Sequence, residues 1–398
     1  MRARTSLGAA VLLALGAAPA WSQSVTVHGQ VRPRFEYRDP VAPVGGGKDD
    51  FTIMRVRAAL EAQPDPSLSV FIQIQDVRYW GERTNPSSDY TTDHLDLHQG
   101  YMRYTGGRLA WLTATVGRQE TGLGGERLVG RSDWSAQGRA FDGVRLDATR
   151  GGATATFLGY RVANATSRAV TADVDLFGVY ATAKGVGPGA LDVYWLYNRG
   201  GGGVDTRQHT LGLRYAFDGA VDGRFEGTIQ RGRRTGEPVS AYLLAVWVGR
   251  SFAGDRGHVA LWYDYLSGDD TPDDGRVEVF STLYGTGHKF YGFADQFRNI
   301  PASTAGHGLR DRAVKLALRP ASDVSVEADV HSFAAARRGT LSTSHYADEV
   351  DLTVTQRYSP SLSLMAGLAR VLQDRGMAEI GRLDRNMTWA FIMVDVVF

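Results

Sequence analysis

A two-residue alternation of apolar and polar positions starts at residue 25. In "VTVHGQVRPRFEYR", Val25, Val27, Val31, Phe35 and Tyr37 fall on one side, and Thr26, His28, Gln30, Arg32, Arg34, Glu36 and Arg38 on the other. Side chains alternate across a strand, so this stretch has one apolar and one strongly polar face. The pattern recurs to the end of the chain. Val259, Leu261, Tyr263 and Tyr265 oppose His258, Trp262 and Asp264. Val324, Val326, Ala328 and Val330 oppose Ser325, Glu327, Asp329 and His331, and Ala390, Ile392, Val394, Val396 and Phe398 form the last run. About eighteen such segments can be drawn, most near the ~9 to 11 residues that cross a bilayer at a tilt. Long helical periodicity is absent.

The connections alternate in length. Short turns fall at 63–66, 105–108, 150–152, 185–189, 218–222, 319–323 and 359–361; long loops fall at 39–50, 80–93, 119–139, 267–310, 337–345 and 374–385. A soluble sandwich, with its apolar faces in a core, has no reason to gather the long loops at one end. An all-β transmembrane antiparallel barrel of about 18 strands does, with short periplasmic turns and long extracellular loops. Closure also removes the sheet edge that lipid does not tolerate. The Val/Leu/Phe/Tyr face then meets lipid and the charged face meets water in a lumen. Tyr37, Tyr79, Trp80, Tyr104 and Tyr265, near strand ends, suit the interfacial girdles. Pro33 lacks a ladder donor, so a bulge or broken pairing is expected there.

Residues 1–22 stand apart. Arg2 and Arg4 precede a short apolar run at 7–18 and small residues around Ala20 and Ser22, the layout of a secretory signal peptide. Residues 23–398 then read as a single barrel domain in the bacterial outer membrane. Cysteine is absent, so neither disulfides nor thiol-bound metal hold the fold. The formal net charge of +1 gives no argument for nucleic acid. Of 44 basic residues only Lys48, Lys184, Lys289 and Lys315 are lysine. Arginine offers a planar fork that pairs carboxylates, although GC-rich coding also raises arginine.

Arg32, Arg34, Arg55, Arg57 and Arg145 share lumen parity, and Arg118 closes its strand at the loop mouth. Fixed positive charge in a pore selects anions. The same arginines also suit bracing of the wall against Glu36, Glu61 and Asp147. The loop at 119–139 carries Glu126, Arg127, Arg131, Asp133 and Trp134. Folded inward it narrows a barrel, with Trp134 either stacking on a sugar or anchoring the loop. His288, Lys289 and Tyr291, in the longest extracellular loop, suit either contact with an acidic sugar chain or packing of the loop. Asp269, Asp270, Asp273 and Asp274 match no EF-hand spacing, so a solvated acidic loop is favoured over a calcium site. No cofactor or metal site is read. No G-x-S-x-G or HExxH motif supports catalysis, leaving only a pairing of His28 or His98 with a serine across the barrel.

Four stretches in order resemble the alginate export family of outer-membrane proteins: "QDVRYWG" (75–81), "VGRQETGLGGERLVGRSDWSAQGRAFDGVRL" (116–146), "YDYLSGDD" (263–270) and "LYGTGHKFYGFAD" (283–295). The resemblance implies an 18-stranded barrel with an electropositive lumen that passes an anionic polysaccharide. The reading is therefore an outer-membrane channel for anionic solutes such as alginate or related saccharides. A general non-selective porin is the alternative, followed by an outer-membrane enzyme or adhesive barrel. Expected partners are an anionic saccharide or small anions, outer-membrane lipid, the barrel-assembly machinery and periplasmic export partners.

Overall fold

A computed structural model describes residues 24–40, 46–81, 95–106, 109–164, 173–201, 205–271 and 274–398. The expected signal peptide, parts of three long loops, residues 107–108 and Asp273 lie outside these. The described residues form eighteen strands. They are β1 (Ser24–Asp39), β2 (Asp49–Asp65), β3 (Leu68–Tyr79), β4 (Asp96–Gly106), β5 (Leu109–Gln119) and β6 (Phe141–Arg150). Next come β7 (Ala153–Ala163), β8 (Val174–Val186), β9 (Gly189–Gly200), β10 (Thr206–Phe217), β11 (Asp222–Arg234) and β12 (Glu237–Phe252). The last are β13 (Gly257–Leu266), β14 (Leu309–Ala321), β15 (Val324–Ala334), β16 (His345–Ser359), β17 (Leu362–Gln373) and β18 (Met387–Val397). Each pairs antiparallel with its chain neighbours, and β1 pairs with β18, so the sheet closes into a barrel. No described helix is long and apolar enough to cross a membrane; strands do the crossing.

The two faces fall as the alternation requires. Leu211, Leu261, Val330 and Ile392 are exposed outward, whereas Arg32, Arg55, Asp264 and His331 are buried inside. The seam closes tightly. The backbone N–H of Phe398 donates to Gly29 O at 3.1 Å and that of Gly29 to Phe398 O at 2.7 Å. A Cβ on Gly29 would stand 2.2 Å from the Phe398 ring, so the terminal ring lies over this glycine and would have to swing away from any larger residue. Around Pro33 the β1–β18 ladder skips from Val31↔Val396 to Arg34↔Met393 without a register shift. The missing N–H therefore breaks pairing and produces no bulge, while the β2 side stays continuous through Pro33↔Met54.

Three details depart from the sequence reading. The connection at 235–236, on the long-loop side, is a two-residue turn with φ of 54° at Thr235 and 87° at Gly236. Positive φ at both positions fits a tight hairpin. A short turn at 253–256, unmarked in the sequence, completes the opposite end. Tyr79 lines cavities inside the rim instead of joining an outer girdle.

The lumen face is also not uniformly wet. Toward the long-loop end it carries Leu158, Leu176, Leu196, Phe333, Tyr346 and Trp389, all buried. They pack on Leu123, Val129, Phe280, Phe290, Phe297 and Ile300 from the loops at 120–140 and 267–308. These two loops fold into the barrel and join through a parallel bridge, Val129↔Tyr284. Inward apolar residues thus have loop partners that strand alternation does not reveal.

Candidate functional site

β1 and β2 run side by side with Arg32 opposite Arg55 and Gln30 opposite Arg57. Arg32, Arg34, Arg55 and Arg57 are all buried inside the barrel. Four guanidiniums this close repel one another, so their neighbours decide the net field. The 120–140 loop supplies them. Asp133 lies 2.9 Å from Arg55 Nη2, 3.4 Å from Arg32 Nη1 and 3.6 Å from Arg57 Nη1. Loop carbonyls add to this: Arg32 Nη2 donates to Asp133 O at 2.9 Å and Arg34 Nη1 to Trp134 O at 2.8 Å. Burial alone opposes charge on Asp133, but Arg55, Arg32 and Arg57 outweigh it and hold the carboxyl below the ordinary aspartate range.

Other groups tie the cluster into the wall. Glu36 accepts from Arg34 Nε at 2.8 Å, from Arg38 Nη2 at 2.6 Å and from Trp389 Nε1 at 2.9 Å. Arg57 Nη1 donates to Glu120 at 3.2 Å, and His98 Nε2 stands 2.7 Å from Glu120. Arg55 donates to Gln30, which donates to Asp395. Gln30, Glu120, Trp389 and Asp395 were not singled out from sequence, and His98 only as a partner for a serine. Gln30 was on the inward list of the first strand, but its pairing with Arg55 on β2 depends on register, which is not a local signal.

Trp134 is an anchor in this conformation. Its ring stacks on His288 at 4.3 Å, and Arg34 lies over it at 4.2 Å. Trp389 and Phe391 meet its edge. Trp134 also separates two cavities. The outer one, about 500 Å³, is lined by Arg34, Glu36, Arg38, Asp295 and Arg298. The inner one, about 660 Å³, is lined by Arg32, Asp133, Lys289, Lys315, Glu327 and Asp395. Trp134 lines both, with Arg34 at the outer cavity and Arg32 at the inner one.

On the opposite wall the polarity reverses. Arg127 reaches from the same loop to Asp264 at 2.6 Å and Glu226 at 3.1 Å, and donates to Tyr291 Oη at 2.9 Å. Burial works against its charge, yet Asp264, Tyr291 and Glu226 hold it firmly protonated. Glu126 pairs within the loop with Arg131 at 2.8 Å and accepts from Thr286 at 3.0 Å.

Several expected members stand elsewhere. Arg118 shares its face with Val116 and Val144, which are exposed outward, and pairs with Asp142 at 2.7 Å. Its strand position is thus outward, at the rim, while its side chain borders the cavity that Gln75, Tyr79 and His98 also line. Arg145 does face inward, but pairs with Asp147 on its own strand at 2.8 Å, and Asp147 also accepts from Thr156. His288, Lys289 and Tyr291 are not displayed on the outside, because their loop folds into the barrel. Tyr291 is buried on Arg127, and His288 Nδ1 donates to Asp295 at 3.1 Å. Lys289 faces the inner cavity, where burial lowers its pKa. His98 contacts Arg57 and Glu120, and His28 stands 3.9 Å from Glu61. Among the described residues no group of acidic or histidine side chains has the makings of a metal site, and Asp269 caps backbone N–H groups of Thr271 and Glu278.

A family model described as Alginate export matches residues 23–370. No curated protein matches the chain. Among solved structures, Pseudomonas aeruginosa OccK3 (OpdO) is similar with a TM-score of 0.64 at 13% identity, over 94% of this chain and 95% of that one. OccK8 (OprE) from the same organism has a TM-score of 0.66 at 11% identity, over 94% and 98%. OccK9 (OpdG), also from that organism, has 0.65 at 13%, over 94% and 98%. At these identities the likeness concerns the fold.

Proposed function

The chain belongs to the alginate export family and is an outer-membrane channel barrel, and we propose that it passively passes anionic solutes, with acidic polysaccharides such as alginate as the class its lumen fits. The observation that carries this reading is the arginine cluster beside Trp134, which we take as the channel's constriction. Among the described residues, Arg32, Arg34, Arg38, Arg55 and Arg57 meet three carboxylates, Asp133, Glu36 and Glu120, within ion-pair distance. The excess positive charge belongs to the cluster itself, since the inner cavity below it sets Glu126, Asp133, Glu327, Asp329, Asp351 and Asp395 against Arg32, Arg131, Lys289 and Lys315. A uronate carboxylate presents the acceptor pair that a guanidinium fork takes bidentately. The lumen works by position and field, and no bond is made or broken; the proposal is a channel and not an enzyme. Insertion by the barrel-assembly machinery and contact with periplasmic export partners belong to the same proposal.

The second reading is a general porin, favoured by the offset of most of the cluster's charge by those carboxylates. Current block distinguishes the two. A short oligouronate added to single channels in a planar bilayer is expected to block the wild type more strongly than a neutral oligosaccharide of equal length. The preference should fall by about tenfold in Arg55→Gln/Arg57→Gln, the loss of roughly one charge-assisted contact. Equal block by both sugars in the wild type selects the general porin.

A further inference from the structure

The outer face at the long-loop rim carries a row of charges in one register. From β5 to β11 the cross-strand partners run Arg118, Asp142, Arg161, Asp175, Arg199, Arg207 and Arg233. The first four alternate in sign and pair. Arg118 meets Asp142 at 2.7 Å, and Arg161 meets Asp175 at 2.6 Å. The last three are all arginine, directly opposite one another on adjacent strands. One rung further in, Arg231 stands opposite His209. Like charges directly opposite destabilise a sheet, so this row needs a counter-charge. Among the described residues Asp205 supplies one, to Arg207 at 2.9 Å, and Asp175 stands opposite Arg199 but is taken by Arg161. Arg231 and Arg233 donate to the backbone carbonyls of Gln230 and Gly236, and among the described residues none of Arg199, Arg231 and Arg233 has a carboxylate at ion-pair distance.

The row also has a defined depth. Along β9 the exposed face reads Val193, Trp195, then Tyr197 and Arg199; along β10 it reads Leu213, Leu211, His209 and Arg207. Aliphatic, aromatic and cationic levels follow one another, the order of a bilayer edge from hydrocarbon to headgroup. Trp195, Tyr197 and His209 stack, with Tyr197 and His209 4.6 Å apart. Trp195 Nε1 donates to His209 Nδ1 at 3.2 Å, which leaves His209 Nε2 as a donor. Arg199, Arg207, Arg231 and Arg233 are all exposed.

We propose that this patch on β9, β10 and β11 is a docking site for a phosphorylated lipid headgroup of the outer leaflet. Phosphate supplies the missing negative charge and the acceptor geometry that guanidinium forks recognise. The acyl chains then lie along Val193, Leu211 and Leu213. The site faces lipid and is independent of what the lumen passes.

The test is native mass spectrometry of the full detergent-solubilised barrel, titrated with diphosphorylated lipid A and with its fully dephosphorylated counterpart. The wild type is expected to prefer the phosphorylated lipid by at least about tenfold, and Arg199→Gln/Arg207→Gln/Arg231→Gln/Arg233→Gln to lose that preference. Arg118→Gln, whose arginine already has a partner, should keep it. Inorganic phosphate at equal phosphorus concentration should not compete; competition would assign the patch to free phosphate and overturn the lipid proposal. Equal wild-type binding of both lipids overturns it as well, whether or not the fourfold variant folds. Unchanged binding by a folded fourfold variant does the same.

Discussion

The 120–140 loop grips opposite walls of one barrel with opposite charges. On the β1–β2 wall a loop acid, Asp133, is shared among three wall arginines, and its side chain is 58% exposed to the lumen. On the β11–β13 wall a loop base, Arg127, is 1% exposed and is taken up by two buried wall acids. The first exposes the shared loop carboxylate to the lumen while the arginines it bridges stay buried. The second buries both partners. Both are ion pairs, but the exposure of the loop partner and the stoichiometry separate a shared clamp from a latch. A buried pair that loses one partner is strongly destabilised, whereas an exposed pair contributes little.

The largest expected effect is therefore at the latch. Arg127→Met leaves Glu226 and Asp264 buried and uncompensated, a cost of about 3–5 kcal/mol. The loop should then leave its seat, read as faster proteolysis within 120–140 and a higher, noisier single-channel conductance. Unchanged protection and conductance would make the two grips equivalent.

Acid acts on the other grip. The Asp133 carboxyl is held below the ordinary aspartate range. Its clamp is complete above that range and is lost as the pH falls through the lowered value. The part of the anion preference set by Asp133 should stay flat from pH 7 to pH 5 and rise only below about pH 3.9, the unperturbed aspartate value. Measured as reversal potential against pH, the rise should be missing in Asp133→Asn. A step near neutral pH would assign the titration to another group.

The smallest effect is expected at Arg145. It faces the lumen but is neutralised by Asp147 on its own strand. Arg145→Gln should shift the reversal potential by much less than the change at Arg55 and Arg57. An equal shift would mean that the field comes from the whole wall and not from the constriction.

Strand number, inward and outward faces and the break at Pro33 were legible in the sequence, because a period of two exposes one face of every strand. Charged residues in the long loop at 119–139 also marked it as a candidate to fold inward. Its partners were hidden, since Arg127 meets residues 99 and 137 positions away. The inward apolar residues Leu158, Leu176 and Phe333 carried no local sign of the loop surface they cover. The face of Arg118 stayed open in the sequence because it sits at a strand end, where only register with Val116 and Asp142 fixes it. His288 looked like a residue of an external loop, because length alone does not tell whether a loop folds out of a barrel or onto Trp134 within it.

The central claim is that the β1–β2 arginines set the field of the constriction and that Asp133 only partly offsets them. Reversal potential in a salt gradient, for wild type, Asp133→Asn and Arg55→Gln/Arg57→Gln barrels in one bilayer composition, tests it most directly. An anion-selective wild type is expected, with a shift further toward anions for Asp133→Asn and a shift toward cations for the double arginine variant. A cation-selective wild type, or shifts of the same sign in both variants, contradicts it.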